Sequence, residues 1–238
     1  MVELLVALGV IGLLLALILP ALRAARETTK DSLDLANLRS THQQFYQWGA
    51  EHRDHFLNAG PPPPERDFYI EYGGCTLVID SYFIQQSMWP LVLANWTGEG
   101  SPAWHSTNGP TPEARIDSCR LDNVQYVTES AYHYARGALA SPELWMPELW
   151  DGSCYPSDYK RYYRFVRWAE AAFPAQKGLL YDSASPPSDG RHPAAVVFVD
   201  GSAQLMDLND STQQAIGPCD FEAVVRTYKG ILGRDFAR

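Results

Sequence analysis

Nineteen consecutive positions, Leu4 to Leu22, carry no charge, and a single carboxylate, Glu3, stands directly before them. This run restricts the fold more than any other part of the chain. A helix over it is roughly 28 Å long at about 1.5 Å per residue, close to the hydrocarbon thickness of a bilayer. A secretory signal opens with basic residues, has a shorter apolar run and ends at a small-residue cleavage site. Here no basic residue precedes the run, and Leu22-Arg23-Ala24 follows it. Nineteen Leu-rich positions also exceed what the core helix of a soluble domain needs. Residues 1–22 are therefore read as a transmembrane helix bounded by Leu4 and Leu22. Pro20 lies inside it, which implies either a kinked or loosened turn or a proline tolerated in the membrane.

The rest of the chain has a different character. Of 238 residues, 46% are hydrophobic and 20% charged, the balance of a folded domain. A net charge of −9 argues against general binding to phosphate backbones. Residues 23–55 read as an amphipathic extension of the helix. Leu38, Thr41, Phe45 and Trp48 recur at helical spacing, with His42, Gln43 and Gln47 between them. Residues 56–64, ending in four prolines, read as a stiff linker that closes the helical region. Residues 65–238 form a globular head.

Within the head, Phe68–Tyr72 and Thr76–Asp80 read as strands around a Gly73-Gly74 turn. Residues 85–94 suggest a short helix around Pro90, and 97–115 a loop. Residues 195–206 read as a hairpin with Asp200-Gly201 as a two-residue turn and a first strand buried on both faces. Residues 221–228 read as a final helix or strand. The predicted class is α+β, a long N-terminal helix packed on an antiparallel sheet.

Candidate chemistry is sparse. Residues 158–168 are basic and aromatic, but Tyr162, Phe165, Val166, Ala169 and Phe173 share one helical face while Lys160, Arg164 and Arg167 lie opposite. That is a solvated helix face rather than a nucleic-acid site. Asp207, Asn209 and Asp210 are a weak calcium candidate without the spacing of an EF-hand loop; a turn rich in Asx residues accounts for them. His192, Asp200 and Ser202 lack a G-x-S-x-G elbow, and no phosphate-binding loop occurs. No catalytic residue or cofactor is assigned, and a non-enzymatic role is expected. The four cysteines, Cys75, Cys119, Cys154 and Cys219, form no C-x-x-C pair. In a head outside the cytoplasm they predict two disulfides, with three connectivities open.

Val2-Glu3-Leu4-Leu5-Val6, the Leu/Ile/Gly run, Leu19-Pro20-Ala21-Leu22 and Ala24-Ala25-Arg26-Glu27 together resemble the N-terminus of type IV pilins and type II secretion pseudopilins. Glu3 and Pro20 stand seventeen residues apart, as in that family. The resemblance implies a basic leader cut after a glycine by a prepilin peptidase, two further residues ahead of Met1, and methylation of the new N-terminus. It also implies that Glu3 meets the N-terminal amine of a neighbouring subunit. Asn37-Leu38-Arg39, Phe45-Tyr46 and His55-Phe56 are similar to planctomycete-type pilin-like proteins, which often end in a His, a nine-residue spacer and Asp-Gly. Here His192 precedes Asp200-Gly201 with seven residues between.

Arg23, Arg26 and Lys30 follow the span, and the positive-inside rule places that end in the cytoplasm. The resemblance and the cysteines place the head outside. On the resemblance, the chain is expected to be a subunit of a type IV pilus-like filament or a type II secretion pseudopilus. It would sit in the inner membrane with an extracytoplasmic head and pass through dedicated assembly machinery into a periplasmic or surface filament. The alternative is a membrane-anchored extracytoplasmic module that binds glycan or peptide.

Overall fold

The structure, a computed structural model, describes residues 2–58, 68–72, 75–79, 85–98, 104, 132–149, 159–182, 193–207 and 229–236. Helix α1 spans Val2–Glu51. A two-stranded antiparallel hairpin, β1 (Phe68–Tyr72) and β2 (Cys75–Ile79), follows, and then helix α2 (Gln85–Thr97). A four-stranded antiparallel sheet has the order β3-β4-β5-β6: β3 (Tyr132–Tyr134), β4 (Gly178–Asp182), β5 (Ala194–Phe198) and β6 (Ala203–Met206). The class is α+β.

Helix α1 is about 75 Å long at 1.5 Å per residue and runs through Pro20 without a melted turn. The loosened-turn alternative is therefore not what is observed. Leu and Ala supply the helical run, and one missing N–H does not end it. Thr28, Thr29 and Ser32 turn their hydroxyls back onto the carbonyls of Ala24, Ala25 and Thr28, at 2.8–3.0 Å. These side chains satisfy themselves within the helix.

The helix stops well before the prolines. Arg53 and Asp54 have φ of 60° and 64°, and the Asp54 N–H donates to the Gly49 carbonyl at 2.9 Å. This is a Schellman-type end with Arg53 in the left-handed position usually taken by glycine. The described residues just beyond it pack into the head. Phe56, Leu57 and Asn58 are buried, because the Phe56 N–H donates to Val166 and His55 bridges Arg167. These three residues belong to the core, not to a linker.

The distal half of α1 lies on β5 and β6. Leu38, Phe45 and Trp48 join Leu180, Ala195, Val197 and Val199 in the main core. Tyr181, Val196, Phe198 and Phe236 form a second cluster. Strand β5 is thus buried throughout, and its alternating side chains divide between the two clusters, as its sequence predicts. Helix α2 extends past the expected residue 94 and ends at Gly98, whose φ of +83° carries the left-handed cap that β-carbon residues resist.

Two expectations are corrected. The β5–β6 turn has three residues, not two: the Gly201 N–H donates to Phe198 and the Phe198 N–H to Ser202. Only Gly201 has positive φ (+83°), as a type I turn followed by a left-handed residue requires. Residues 159–173 are not an amphipathic α-helix. Short 3₁₀ turns at Tyr159–Tyr162 and Trp168–Glu170 flank bridges from Tyr163 to Ala140 and from Arg167 to His55. Here backbone groups pair with neighbouring segments, and aromatic and β-branched residues offer little helix propensity to resist this. The buried residues are Tyr163, Val166 and Trp168, of which only Val166 belongs to the predicted face.

The Gly73-Gly74 turn, Cys119, Cys154, His192, Asn209, Asp210, Cys219, residues 221–228 and nearly all of the 97–115 loop lie outside the described residues. Cys75 opens β2 opposite Tyr72.

Candidate functional site

Every described side chain from Val2 to Lys30 is exposed. By length and composition this helix is able to cross a membrane, and none of its most apolar window is buried. Twelve large apolar residues between Val2 and Leu22 are exposed, Leu4 at 68% and Leu13 at 64% among them. Covering a side chain of this kind is worth about 1.5–3 kcal/mol, so covering twelve is worth on the order of 20–30 kcal/mol. That exceeds the net stability of an ordinary domain, about 5–15 kcal/mol. An apolar surface of this size marks a membrane or protein contact. Glu3 is exposed at its tip, and Arg23, Arg26 and Lys30 are exposed beyond it.

Burial begins at Asp34. Its Oδ1 accepts the Tyr132 hydroxyl at 3.0 Å, and both residues are almost fully buried. Burial, with the Asp34 carboxylate beside it, pushes the Tyr132 phenol well above its ordinary range, so it stays a donor. Trp89 Nε1 donates to the Tyr132 carbonyl at 2.9 Å, tying α2 to the same point. Further along α1, the Phe45 ring meets Trp89 and Tyr134 edge-on at 5.3 and 5.1 Å. Arg39 donates to the Ala203 carbonyl at 3.0 Å. The helix is therefore held in the head by about five turns and free over its first eight or so.

His42 was expected among the polar positions of α1 but lies on its buried stripe, four residues after Leu38 and three before Phe45. Its Nε2 stands 3.0 Å from the Val199 carbonyl, and Trp168 meets it edge-on at 5.4 Å. A β-carbon on Gly201 would come within 3.0 Å of the imidazole. Asp200 Oδ1 accepts from the Ser202 backbone and hydroxyl at 2.9 and 2.6 Å, closing the turn. Burial lowers the His42 pKa, with Val199 and Asp200 opposing. The residue beneath Asp200-Gly201 is thus His42. It fastens the β5–β6 turn to α1, and its i+4 spacing from Leu38 was the available signal.

Of the remaining expected site residues, Asp207 follows β6 and is exposed. Among the described residues no group of three or more His, Cys, Asp or Glu is placed to hold a metal. The basic stretch folds on itself: Arg164 pairs with Glu170 at 2.5–2.9 Å. A fully buried pair that the sequence did not suggest joins Lys177 Nζ to Asp235 Oδ1 at 2.9 Å.

No known family, curated protein or solved structure matches the chain.

Proposed function

We propose that the chain is a pilin-like or pseudopilin-like subunit that assembles through the free half of α1. The observation that carries this reading is one unbroken helix with two unlike halves. Its first half is apolar and uncovered behind a lone carboxylate. Its second half is locked into the head by Asp34, Leu38, His42, Phe45 and Trp48. A rigid rod of this kind transfers the head's position to the apolar half.

In the bilayer, lipid covers the apolar half. In a filament, the equivalent halves of neighbouring subunits cover it, so extraction exchanges one apolar surrounding for another. Glu3 is what makes the exchange specific. A carboxylate costs little at the headgroup level but needs a cation inside a dry helix bundle. A neighbour's N-terminal amine is the partner of matching charge, and meeting it fixes the axial register. The head then faces outward from the membrane and from the filament.

Replacing Glu3 with Ala or Leu tests the reading. Membrane insertion should persist while filament formation is lost. Unchanged assembly and secretion would remove the register role.

A further inference from the structure

Lys177 and Asp235 are the most deeply buried charged pair among the described residues, with side chains 1% and 0% exposed. Lys177 comes just before β4, and Asp235 lies 58 residues further along the chain. The C-terminal segment returns across the head to reach it. Lys229 N–H donates to the Trp145 carbonyl at 3.1 Å, Asp235 N–H to Gln176 at 3.0 Å, and Phe236 packs on Phe198.

Space around the pair is restricted by glycine. A β-carbon on Gly137 would stand 3.4 Å from Lys177 Nζ and 3.3 Å from the Gly230 backbone. An ammonium has three N–H donors, yet among the described residues only Asp235 accepts from Nζ. Asp235 Oδ2 is held by the Gly178 N–H at 2.8 Å. One carboxyl oxygen is thus fixed by a backbone donor while the other touches the amine.

We propose that this site joins Lys177 Nζ to Asp235 Cγ in an isopeptide bond, a covalent clip formed by the fold itself. Water exclusion disfavours two facing charges and favours the amine–acid form of the pair. The same burial lowers the Lys177 pKa, with Asp235 opposing. A proton passes from Nζ to Oδ1, and the freed lone pair of Nζ attacks Cγ. Oδ2 gathers the displaced electron pair, stabilised by the Gly178 N–H in the manner of an oxyanion hole. A second proton moves from Nζ to Oδ1, the Cγ–Oδ1 bond breaks and water leaves. The amide keeps one N–H, so no oxidant or activating group is needed. Holding the atoms in contact replaces the activation that this condensation needs in free solution. The bond closes a loop from β4 to the C-terminus, so force on the head cannot peel away its last segment.

Mass spectrometry of the full chain, purified in detergent and reduced, tests this. The account expects an intact mass lower than the sequence mass by one water. It also expects a tryptic map uncut after Lys177, with a branched peptide carrying Asp235. Separate, unmodified peptides for Lys177 and Asp235 would overturn the proposal, as would a one-water deficit mapped to another residue. Lys177→Arg keeps a cation and cannot form the amide, so its mass should match its sequence. A persisting deficit in that variant would also overturn it. The wild-type peptide map decides the question even if the variant fails to fold.

Discussion

The Tyr132 hydroxyl donates to Asp34 Oδ1 across 3.0 Å at the point where α1 enters the head. On one side of this bond the helix is exposed in every described residue through Lys30. On the other, its stripe is core. The bond therefore fixes how much of the rod projects, and with it the height of the head above any membrane or filament axis.

Breaking this bond from either side removes a charge-assisted hydrogen bond from a buried polar group. Tyr132→Phe should cost about 1–3 kcal/mol and Asp34→Ala a similar amount, as for other buried hydrogen bonds to charged groups. Chemical unfolding of the full chain in detergent reads both. Additive effects in the double variant would contradict direct coupling, which requires the double to cost less than the sum.

Gly49→Ala should destabilise the head although alanine favours helices. A β-carbon there would lie 2.5 Å from Trp168 Nε1 and 2.7 Å from the His55 carbonyl, in a region where Trp168 Nε1 also donates to His55. Overpacking of this kind costs about 1–3 kcal/mol. A thermal midpoint equal to or above that of the parent would show that the contact relaxes freely.

Acid should destabilise the head through the half-buried His133 and the buried His42. Burial, with Arg136 adding repulsion, pushes the His133 pKa down to about 4 from 6.5, and burial lowers that of His42 as well. Between the folded and unfolded values the unfolded chain binds more protons, so stability rises with pH. The contribution is complete above pH 6.5 and is lost as pH falls through the window toward about 4. The unfolding midpoint should fall across this range, and His133→Gln should flatten part of the slope. A slope that His133→Gln leaves unchanged would contradict the assignment.

Gly201→Ala should loosen the hold on α1. Its φ of +83° costs a β-carbon residue about 1 kcal/mol, and the new methyl would press on His42. Hydrogen exchange at the β5–β6 turn should accelerate more than at β4. Equal protection would mean that His42 does not fasten this turn.

The apolar run, the Leu38-Thr41-Phe45-Trp48 stripe, the β1–β2 hairpin and the doubly buried β5 were all legible in the sequence. Each rests on local periodicity, which side-chain burial enforces directly. What the sequence hid depends on distant partners. His42 reads as polar until Val199 and Trp168 close over it. Lys177 and Asp235 are ordinary surface residues until the C-terminal segment folds back. The 159–173 stretch has helical periodicity, but its backbone pairs with Ala140 and His55 instead. What the sequence does not show is how α1 ends: Arg53 and Asp54 adopt a conformation that sequence assigns to glycine.

The central claim is that the free half of α1 exchanges lipid for other copies of itself. A photo-crosslinking residue in place of Leu13, whose side chain is 64% exposed, tests this most directly. The account predicts adducts with lipid before assembly and with a second copy's N-terminal helix in the filament fraction. Adducts with lipid alone under every condition would contradict it and leave α1 as a permanent anchor.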